Sequence, residues 1–311
     1  MSFKEQLKGR DLLTLADYSK AEIGYILELA AQIKEKKKNG EVYEPLKGKT
    51  LGMIFEKSST RTRVSFEAGI YQLGGTGLFL SSNDIQLGRG EPISDTAQVL
   101  SGYLDGIMIR TFSQKDVEDL AENASIPVIN GLTDDYHPCQ VLADLQTIKE
   151  VKGTLEGLKL TYIGDGNNMA HSLMIGCAKM GLDVAIAAPK GYQPNENITA
   201  LAKSFAEGTE VLVTEDPIEA VANADIIYSD VWASMGQEAE QKVREQAFAK
   251  YQVNNELFAH AKSDAIFMHC LPAHRGEEVT ADIIDGPQSV VFQEAENRLH
   301  AQKALMVALM G

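Results

Sequence analysis

The residues LGMIFEKSSTRTR at 51–63 pass from a short apolar run to a segment of hydroxyl and guanidinium side chains. A run such as LGMIF, at 51–55, that gives way to polar residues is typical of a buried strand. The polar segment predicts the start of a helix that continues from about 62 to 73 and ends at two glycines, 74–75. Because a strand that leads directly into a helix is the building block of βαβ units, this stretch predicts an α/β fold.

The same alternation of apolar runs and helical patterns continues along the chain. Further strands are predicted at 77–80, 106–110, 127–130, 159–164, 183–188, 211–213, 225–230 and 265–270, with another short one at 289–292. Helices are predicted at 20–38 after an N-cap at Ser19, and at 94–103, 114–123, 138–151, 168–181 and 294–310. Crossovers of this length favour parallel sheets. The expected fold class is therefore α/β, with two doubly wound parallel-sheet domains of similar size joined by helices.

The domain boundaries follow from the length and from the position of the longest central helix. A chain of 311 residues suggests about two domains. We place the first domain at 1–135, completed by the C-terminal helix at 294–311. We expect an interdomain helix at 136–151 and the second domain at 152–290.

The composition excludes several classes of protein. Lys and Arg total 29 against 44 Asp and Glu, a net charge of −15, which argues against a nucleic-acid binder because phosphate backbones attract basic surfaces. No apolar run reaches the roughly 18 residues needed to span a bilayer. Three cysteines argue against a disulfide framework, and the N-terminus resembles neither a secretory signal nor a transit peptide. We therefore expect a cytoplasmic enzyme or small-molecule binder without nucleic-acid or membrane partners.

The segment SSTRTR at 58–63 is a candidate anion site. Ligands of doubly wound sheets bind beyond the carboxyl ends of the strands, and a helix N-terminus there favours phosphate through its free N–H groups and its dipole. An arginine fork can also bind phosphate oxygens bidentately. Since residues two apart on a helix do not share a face, we assign Arg61 to the ligand and Arg63 to a structural role. The alternative is a Ser/Thr N-cap with two solvated arginines.

Two further candidates follow strands in the first half. Arg110 ends the predicted strand 106–110, and His137 precedes Pro138, a residue favoured at the first position of a helix. The helix dipole disfavours an imidazolium at that position, and a neutral imidazole can donate a hydrogen bond to a developing oxyanion. The alternatives are a surface arginine and a capping histidine without chemistry.

The turn GDGNNM at 164–169 follows the first strand of the second half. It lies where a dinucleotide-binding fingerprint would lie but lacks the third glycine, which argues against NAD. The position where an acidic ribose ligand would be expected is occupied by Pro189 and Lys190. Asn168 in this turn offers both a donor and an acceptor to a zwitterion.

The segment DVWASMG at 230–236 follows another predicted strand. It combines the carboxylate of Asp230, the hydroxyl of Ser234 and a glycine turn, which suit a ligand with ammonium and carboxylate groups. The alternative is a loop around a buried Trp232.

His269 and Cys270 are adjacent at the end of the predicted strand 265–270. Such a pair indicates a thiol nucleophile. Because adjacent strand residues point to opposite faces, we do not expect His269 to serve as a base for Cys270, and we reject a thiol hydrolase. We also do not expect a zinc site, since no second Cys or His lies at ligand spacing on the same face.

Together these segments resemble the ornithine carbamoyltransferases, from the superfamily that also contains the aspartate carbamoyltransferases. The resemblance spans nearly the whole chain, and its motifs are SSTRTR at 58–63, HPCQ at 137–140, DVWASMG at 230–236, HCLP at 269–272 and EAENRLH at 294–300. Cys139 stands where a threonine is common in the second motif, at a position that varies.

The resemblance implies a set of residues for each substrate. For carbamoyl phosphate it implies Ser59, Thr60, Arg61, Thr62, Gln86, Arg110, His137, Gln140, Cys270, Leu271 and Arg298. For ornithine it implies Asn168, Asp230, Ser234 and Met235. It implies catalytic roles for Arg110, His137, Asp230 and Cys270, and it implies neither a metal nor an organic cofactor. It also implies a homotrimer or a multiple of trimers, in which Gln86 reaches the phosphate bound to a neighbouring subunit.

The implied activity is transfer of the carbamoyl group of carbamoyl phosphate to the side-chain amine of L-ornithine, which gives L-citrulline and phosphate in arginine biosynthesis. The alternative within the superfamily is another amine acceptor, such as putrescine or acetylornithine. Putrescine enzymes lack the SMG loop, which this chain has at 234–236. The alternatives of a different class are an NAD-dependent oxidoreductase and a catalytically silent binding protein; the latter is expected to have lost a catalytic group, yet all those implied here are present.

Overall fold

The computed structural model describes residues 2–85, 87, 90–234 and 236–311, apart from the side chain at 238. The chain divides into two units. The first unit comprises Met1–Gln146 and Glu296–Gly311, and the second comprises Thr147–Ala295. Gln86 and Met235, both implied as substrate ligands, lie outside the described residues.

The first unit is built on a four-stranded parallel sheet in the order β2-β1-β3-β4. Its strands are β1 Thr50–Phe55, β2 Thr76–Ser81, β3 Gly106–Arg110 and β4 Val128–Leu132. Its helices are α1 Phe3–Leu7, α2 Lys20–Lys38, α3 Thr60–Gln72, α4 Ile93–Ser101 and α5 Gln114–Asn123, with the larger parts of α6 Pro138–Lys152 and α13 Val291–Met310. The chain moves from β1 to one side for β2 and returns to the other side for β3. This reversal places a switch point, where ligands of such sheets bind, at the ends of β1 and β3.

The second unit has a five-stranded parallel sheet in the order β7-β6-β5-β8-β9. Its strands are β5 Lys159–Ile163, β6 Asp183–Ala187, β7 Val211–Thr214, β8 Ile226–Ser229 and β9 Ile266–His269. Its helices are α7 Asn168–Met180, α8 Glu196–Ser204, α9 Pro217–Val221, α10 Gln241–Phe248, α11 Asn255–Phe258 and α12 Ala281–Ile284. The winding direction reverses between β5 and β8, so the second switch point is at the ends of these two strands.

The prediction of an α/β fold with two parallel sheets is confirmed, and the strands predicted up to residue 270 are all present. The predicted strand at 289–292 is wrong, because Ser289 forms only an isolated bridge with Phe267 and Val291 already begins α13. A short apolar run does not by itself distinguish a strand from a buried helix start.

The short helices α8 to α12 were not predicted, although several begin at residues that favour this position. Asn195, Asp216 and Asn254 each accept a hydrogen bond from a backbone N–H of the helix that follows. Four to nine residues are too few for a clear helical period. Among the described residues, no helix combines the length and the apolar character that crossing a membrane requires.

Candidate active site

The first switch point begins with the N-terminus of α3, directly after β1. Ser59 is the N-cap: its Oγ accepts a hydrogen bond from the N–H of Thr62 at 3.2 Å and donates one to Thr62 Oγ1 at 3.1 Å. Thr60 is exposed, Arg61 is half-buried and Thr62 is buried. The segment therefore joins a capped helix N-terminus to a guanidinium, a combination suited to a phosphate.

Three of the residues implied for carbamoyl phosphate form one buried hydrogen-bond chain. The guanidinium of Arg298 donates from Nη1 to Gln140 Oε1 at 2.7 Å and from Nη2 to Thr62 Oγ1 at 3.3 Å. Gln140 in turn donates from Nε2 to Asp144 Oδ1 at 2.8 Å. The chain fixes the guanidinium of Arg298, from α13, beside the first turn of α3. Asp144 was not among the predicted residues, although its position one helical turn after Gln140 could have indicated it.

His137 immediately precedes α6 and is buried. Its backbone carbonyl accepts hydrogen bonds from the N–H groups of Gln140 at 3.2 Å and Val141 at 3.4 Å, as expected at the start of a helix. Burial, and then the positive charges of Arg298, Arg110 and Arg61, hold the pKa of His137 well below its ordinary value. The imidazole is therefore neutral near pH 7, which leaves it able to donate one hydrogen bond.

Arg110 is the last residue of β3 and is also buried. Its carbonyl accepts a hydrogen bond from the N–H of Glu56 at 2.9 Å, which links the ends of β1 and β3. The positive charges of Arg298, Arg110 and Arg61 all lower the pKa of His137, which places these three residues in the neighbourhood of its ring. Arg63 is not part of this group: it is exposed, it pairs with Glu67 at 3.3 Å and its guanidinium lies 3.8 Å from the centre of the Phe79 ring.

The second switch point is organised by Asn167, which the sequence analysis missed. Asn167 is the N-cap of α7, and its Oδ1 accepts hydrogen bonds from the N–H of Met169 at 2.9 Å and of Ala170 at 3.3 Å. Its Nδ2 donates to Asp230 Oδ2 at 3.0 Å. Asn168 is the first residue of the helix and is partly exposed. Because both residues are asparagine, the N-cap preference does not by itself tell which of them caps the helix.

Asp230 directly follows β8 and is buried. Its Oδ1 accepts hydrogen bonds from the thiol of Cys270 at 3.1 Å and from the N–H of Val231 at 2.8 Å. The structure thus brings Asp230 and Cys270 together at the ends of neighbouring strands. Leu271 comes next, with a positive φ of 57°, a backbone conformation that is costly for a branched side chain.

His269 is buried and holds the backbone after Cys270. Its Nδ1 accepts a hydrogen bond from the N–H of Leu271 at 2.9 Å, while its Nε2 lies 3.1 Å from Glu278 Oε1. With both nitrogens engaged, the ring does not serve as a base for the thiol, which agrees with the rejection of a thiol hydrolase. The stated reason was incomplete, because β9 ends at His269 and strand alternation does not extend to Cys270.

A cluster of potential metal-ligating atoms at the ends of β8 and β9 was also not expected. One ligand atom each of Asp230, His269 and Cys270 lie within 4.8 Å of one another. A metal there would have to replace the hydrogen bonds that these groups already make. The geometry therefore favours a hydrogen-bonded polar network over a metal site.

The segment that follows Asp230 is held by Arg244, another residue that the sequence analysis did not single out. The guanidinium of Arg244 donates from Nη1 to Asp165 Oδ2 at 2.8 Å and to the carbonyl of Trp232 at 3.0 Å. Its Nε donates to Glu240 Oε2 at 3.0 Å. Within the segment, the N–H of Ser234 donates to Gln237 Oε1 at 3.0 Å. Arg244 therefore ties both ends of the segment to the turn that carries Asn167 and Asn168.

Comparisons with known proteins agree in both units. Residues 10–150 match the family model described as the aspartate/ornithine carbamoyltransferase carbamoyl-P binding domain, and residues 156–309 match the Asp/Orn binding domain of the same family. An ornithine carbamoyltransferase of Oceanobacillus iheyensis is 70% identical over 99% of this chain and 96% of its own. One from Bacillus subtilis is 63% identical over 98% of this chain and 95% of its own.

Solved structures give the same result. The ornithine carbamoyltransferase from Pyrococcus furiosus superposes with a TM-score of 0.96 at 57% identity, covering 98% of each chain. The enzyme from Thermus thermophilus superposes with a TM-score of 0.87 at 40% identity, covering 97% of this chain and 99% of the other.

Proposed function

The chain belongs to the aspartate/ornithine carbamoyltransferase family, and we propose how its residues carry out the family reaction. It is an enzyme that transfers the carbamoyl group of carbamoyl phosphate to the side-chain amine of L-ornithine, which gives L-citrulline and phosphate. We assign carbamoyl phosphate to the first unit and ornithine to the second. The observation that carries the assignment is the buried hydrogen-bond chain from Arg298 to Gln140 and Thr62 at the capped N-terminus of α3, with Arg110 and His137 buried at the same switch point.

Carbamoyl phosphate binds with its phosphate at the N-terminus of α3. Ser59, Thr60, Arg61 and Thr62 supply backbone N–H groups, hydroxyls and a guanidinium, which together neutralise the dianion and make phosphate a better leaving group. In an oligomer, Gln86 of a neighbouring subunit contributes to the same phosphate.

The carbamoyl group is polarised by Arg110 and His137, with the hydroxyl of Thr62. These donors stabilise the oxyanion of a tetrahedral intermediate, and the loss of one such donor costs about 3–4 kcal/mol of activation free energy. Arg298 and Gln140 hold the donors and the carbamoyl amide in place through their hydrogen-bond chain.

Ornithine binds at the second switch point. Asn168 binds its α-carboxylate, Asp230 and Ser234 bind its α-ammonium, and Met235 completes this pocket. Cys270 and Leu271 lie on the side of the reacting amine, where the thiol is already tied to Asp230.

The reacting amine must lose a proton before it attacks. An alkylammonium has a pKa of about 10.4, so at pH 7 fewer than about one molecule in a thousand is neutral, a handicap of roughly 4–5 kcal/mol. The site therefore selects the neutral amine or removes its proton, and we assign this step to the Asp230–Cys270 pair together with the departing phosphate, which can accept the proton.

We further propose a homotrimer or a multiple of trimers. The strand β2 lies at the edge of its sheet, and Leu78 and Phe79 on it are 43% and 38% exposed. Val64, Val99 and Tyr103 are further exposed apolar residues of the same unit. An exposed apolar edge strand is a liability unless it is covered, and a second copy of the chain would cover it.

We also propose that the enzyme acts in arginine biosynthesis in the cytoplasm. The three cysteines are free, as expected for a protein in a reducing compartment. The carbamoyl transfer itself is the same chemistry whichever direction the cell uses.

A substrate panel tests the acceptor assignment. Carbamoyl phosphate is supplied with ornithine, acetylornithine, putrescine or aspartate, and carbamoylated product is measured. We expect citrulline formation to exceed the other products by at least about a hundredfold, since loss of a buried polar contact typically costs several kcal/mol. Comparable rates with putrescine, which lacks the α-carboxylate, would contradict the roles of Asn168 and Asp230.

A further inference from the structure

The first unit contains a cavity of about 480 Å³ that the carbamoyl transfer does not use. It lies at the C-terminal end of α3, whereas the proposed phosphate site is at the N-terminal end of the same helix. Its walls come from the end of α2, from the segment 40–44, from Tyr71 and Gln72, and from Lys303 of α13.

Lys303 reaches this cavity because α3 and α13 approach each other closely at Gly69. A Cβ atom added to Gly69 would lie 3.3 Å from Lys303 Cγ and 3.0 Å from Met306 Cε, so a side chain there would require these neighbours to shift by a few tenths of an ångström. The residue is 4% exposed, and its Nζ donates a hydrogen bond to Gln72 Oε1 at 3.0 Å. The ammonium is thus fixed at the wall of the cavity by its neighbours.

The charges around Lys303 are unbalanced. Glu41 and Glu44 also line the cavity: Glu41 is paired with Lys36 at 3.1 Å, and Glu44 lies 4.0 Å from Lys47, which does not line it. No carboxylate of the described residues forms an ion pair with Lys303 or with Lys37. Burial and the charge of Lys37 lower the pKa of Lys303 to about 8.

A buried ammonium normally has a countercharge, because burial of an isolated charge is costly. We propose that this cavity binds a small dianion, with Lys303 and Lys37 as its charged contacts and Tyr43 and Tyr71 beside them. The alternative is that Lys303 only stabilises the negative end of the α3 dipole, for which no ligand is needed. The two hypotheses make different predictions: an added dianion changes the protonation of Lys303 if the cavity binds it, and does not if Lys303 only stabilises the helix dipole.

The test is NMR of protein labelled with ¹³C at lysine Cε, with the Lys303 resonance identified by its loss in Lys303→Arg. The pKa of Lys303 is measured alone, with inorganic phosphate, with succinate, and with sodium chloride at matched ionic strength. We expect a dianion to raise the pKa by one unit or more, which corresponds to at least about tenfold tighter binding to the charged lysine. Chloride is expected to leave the pKa unchanged. If only phosphate raises the pKa of Lys303, the cavity binds a phosphoryl group. If only succinate raises it, the cavity binds a dicarboxylate, and if both do, it binds either class of dianion.

Two neighbouring lysines provide a matched pair of variants. Lys37 and Lys38, at the end of α2, are both exposed, but only Lys37 lines the cavity. Lys37→Ala should weaken the response to the dianion at least tenfold, and Lys38→Ala should leave it unchanged. Arg61→Ala should also leave it unchanged, because the proposed catalytic phosphate site is separate. The proposal is wrong if neither dianion moves the resonance, if chloride moves it equally, or if Lys37→Ala responds like the parent protein.

Discussion

At the scale of single residues, the first switch point combines the buried guanidinium groups of Arg110 and Arg298 and the half-buried one of Arg61 with the buried ring of His137. The guanidinium of Arg298 is stabilised by charge-assisted hydrogen bonds to Gln140 and Thr62, which replace the water that a buried charge loses. Burial, and then the positive charges of the three arginines, hold the pKa of His137 well below its ordinary value. A site with an excess of buried positive charge is suited to a dianionic substrate.

Arg61 and Arg63 form a natural pair for testing the phosphate role. Arg61→Ala should weaken carbamoyl phosphate binding by at least about a hundredfold, since the lost guanidinium contact is charge-assisted and partly buried. Arg63→Ala should change it less than about threefold, because Arg63 is exposed and pairs with Glu67. Isothermal titration with carbamoyl phosphate measures both. Equal affinities for the two variants would contradict the assignment of Arg61.

His137 is expected to act as a neutral hydrogen-bond donor. His137→Asn should lower kcat by about 10²–10³-fold, the typical effect of losing one oxyanion donor. Because burial and the three arginines lower its pKa, the ring stays neutral as the pH falls from 7 to 6. Between pH 7 and pH 6, the affinity for carbamoyl phosphate should therefore change equally in the parent enzyme and in His137→Asn. Steady-state kinetics on both proteins provides the comparison. A loss of affinity in the parent enzyme that is absent from His137→Asn would mean that the imidazole is protonated in this interval.

Charged and polar residues that follow strands could be predicted from the sequence, because parallel strands end at one edge of a sheet. Which of Asn167 and Asn168 caps the helix could not be predicted, since a shift of one residue at a helix start exchanges the cap for the first helical residue. The contact of Arg244 with Asp165 joins residues far apart in the chain, and no local pattern indicates it.

At the scale of elements, helix starts position most of the candidate groups. Ser59 and Ser19 both cap helices by accepting a hydrogen bond from the N–H three residues on, but of these two helices only α3 begins at a switch point. Local signals of this kind explain why α2 and α3 were predicted. The start of α13 was mistaken for a strand because Val290, Val291 and Phe292 carry no helical period by themselves.

A comparison of the N-caps Ser59 and Ser19 distinguishes an effect on stability from an effect on carbamoyl phosphate binding. Ser59→Ala and Ser19→Ala should each lower the free energy of unfolding by about 1 kcal/mol, the usual value of a lost N-cap. Only Ser59→Ala should also raise KM for carbamoyl phosphate, because its hydroxyl orients Thr62. Urea unfolding and kinetics on both variants provide the comparison. A similar rise in KM for Ser19→Ala would show that the kinetic effect is only a consequence of lost stability.

The segment after Asp230 depends on Arg244 for its position. Arg244→Lys keeps the charge but loses the fork that contacts Asp165, Trp232 and Glu240 together, so KM for ornithine should rise about tenfold or more. Carbamoyl phosphate affinity should stay unchanged. Lys242→Ala, an exposed position on the same helix, is the control and should leave both constants unchanged. If KM for ornithine is unaffected in Arg244→Lys, the segment does not help to bind ornithine.

At the scale of the whole molecule, the two units repeat one architecture with different chemistry. Each has a parallel sheet with one switch point, one lined by arginines and one by a carboxylate, amides and a thiol. The two parallel sheets could be predicted from the order of apolar runs, but the strand orders that place the switch points could not. The exposure of β2 could not be predicted from the sequence, because a strand at a sheet edge has the same apolar pattern as an inner strand.

The proposed trimer gives a test at this scale. Leu78→Asp places a charge on the exposed edge strand and should shift the mass measured by light scattering from trimer to monomer. Activity should fall with it, since Gln86 then has no neighbouring phosphate to reach. Ile218→Asp changes an apolar residue of the second unit that is 51% exposed, and it should alter neither property. A parent protein that is monomeric at working concentration would contradict the proposal.

Whether the phosphate of the substrate lies where α3 begins is decided by diffraction from crystals grown with carbamoyl phosphate and norvaline, an unreactive analogue of ornithine. We predict phosphate density against the backbone of 59–62 and the guanidinium of Arg61, carbamoyl density against Arg110 and His137, and amino-acid density against Asn168 and Asp230. Phosphate density elsewhere, with the N-terminus of α3 in contact only with water, would contradict the account.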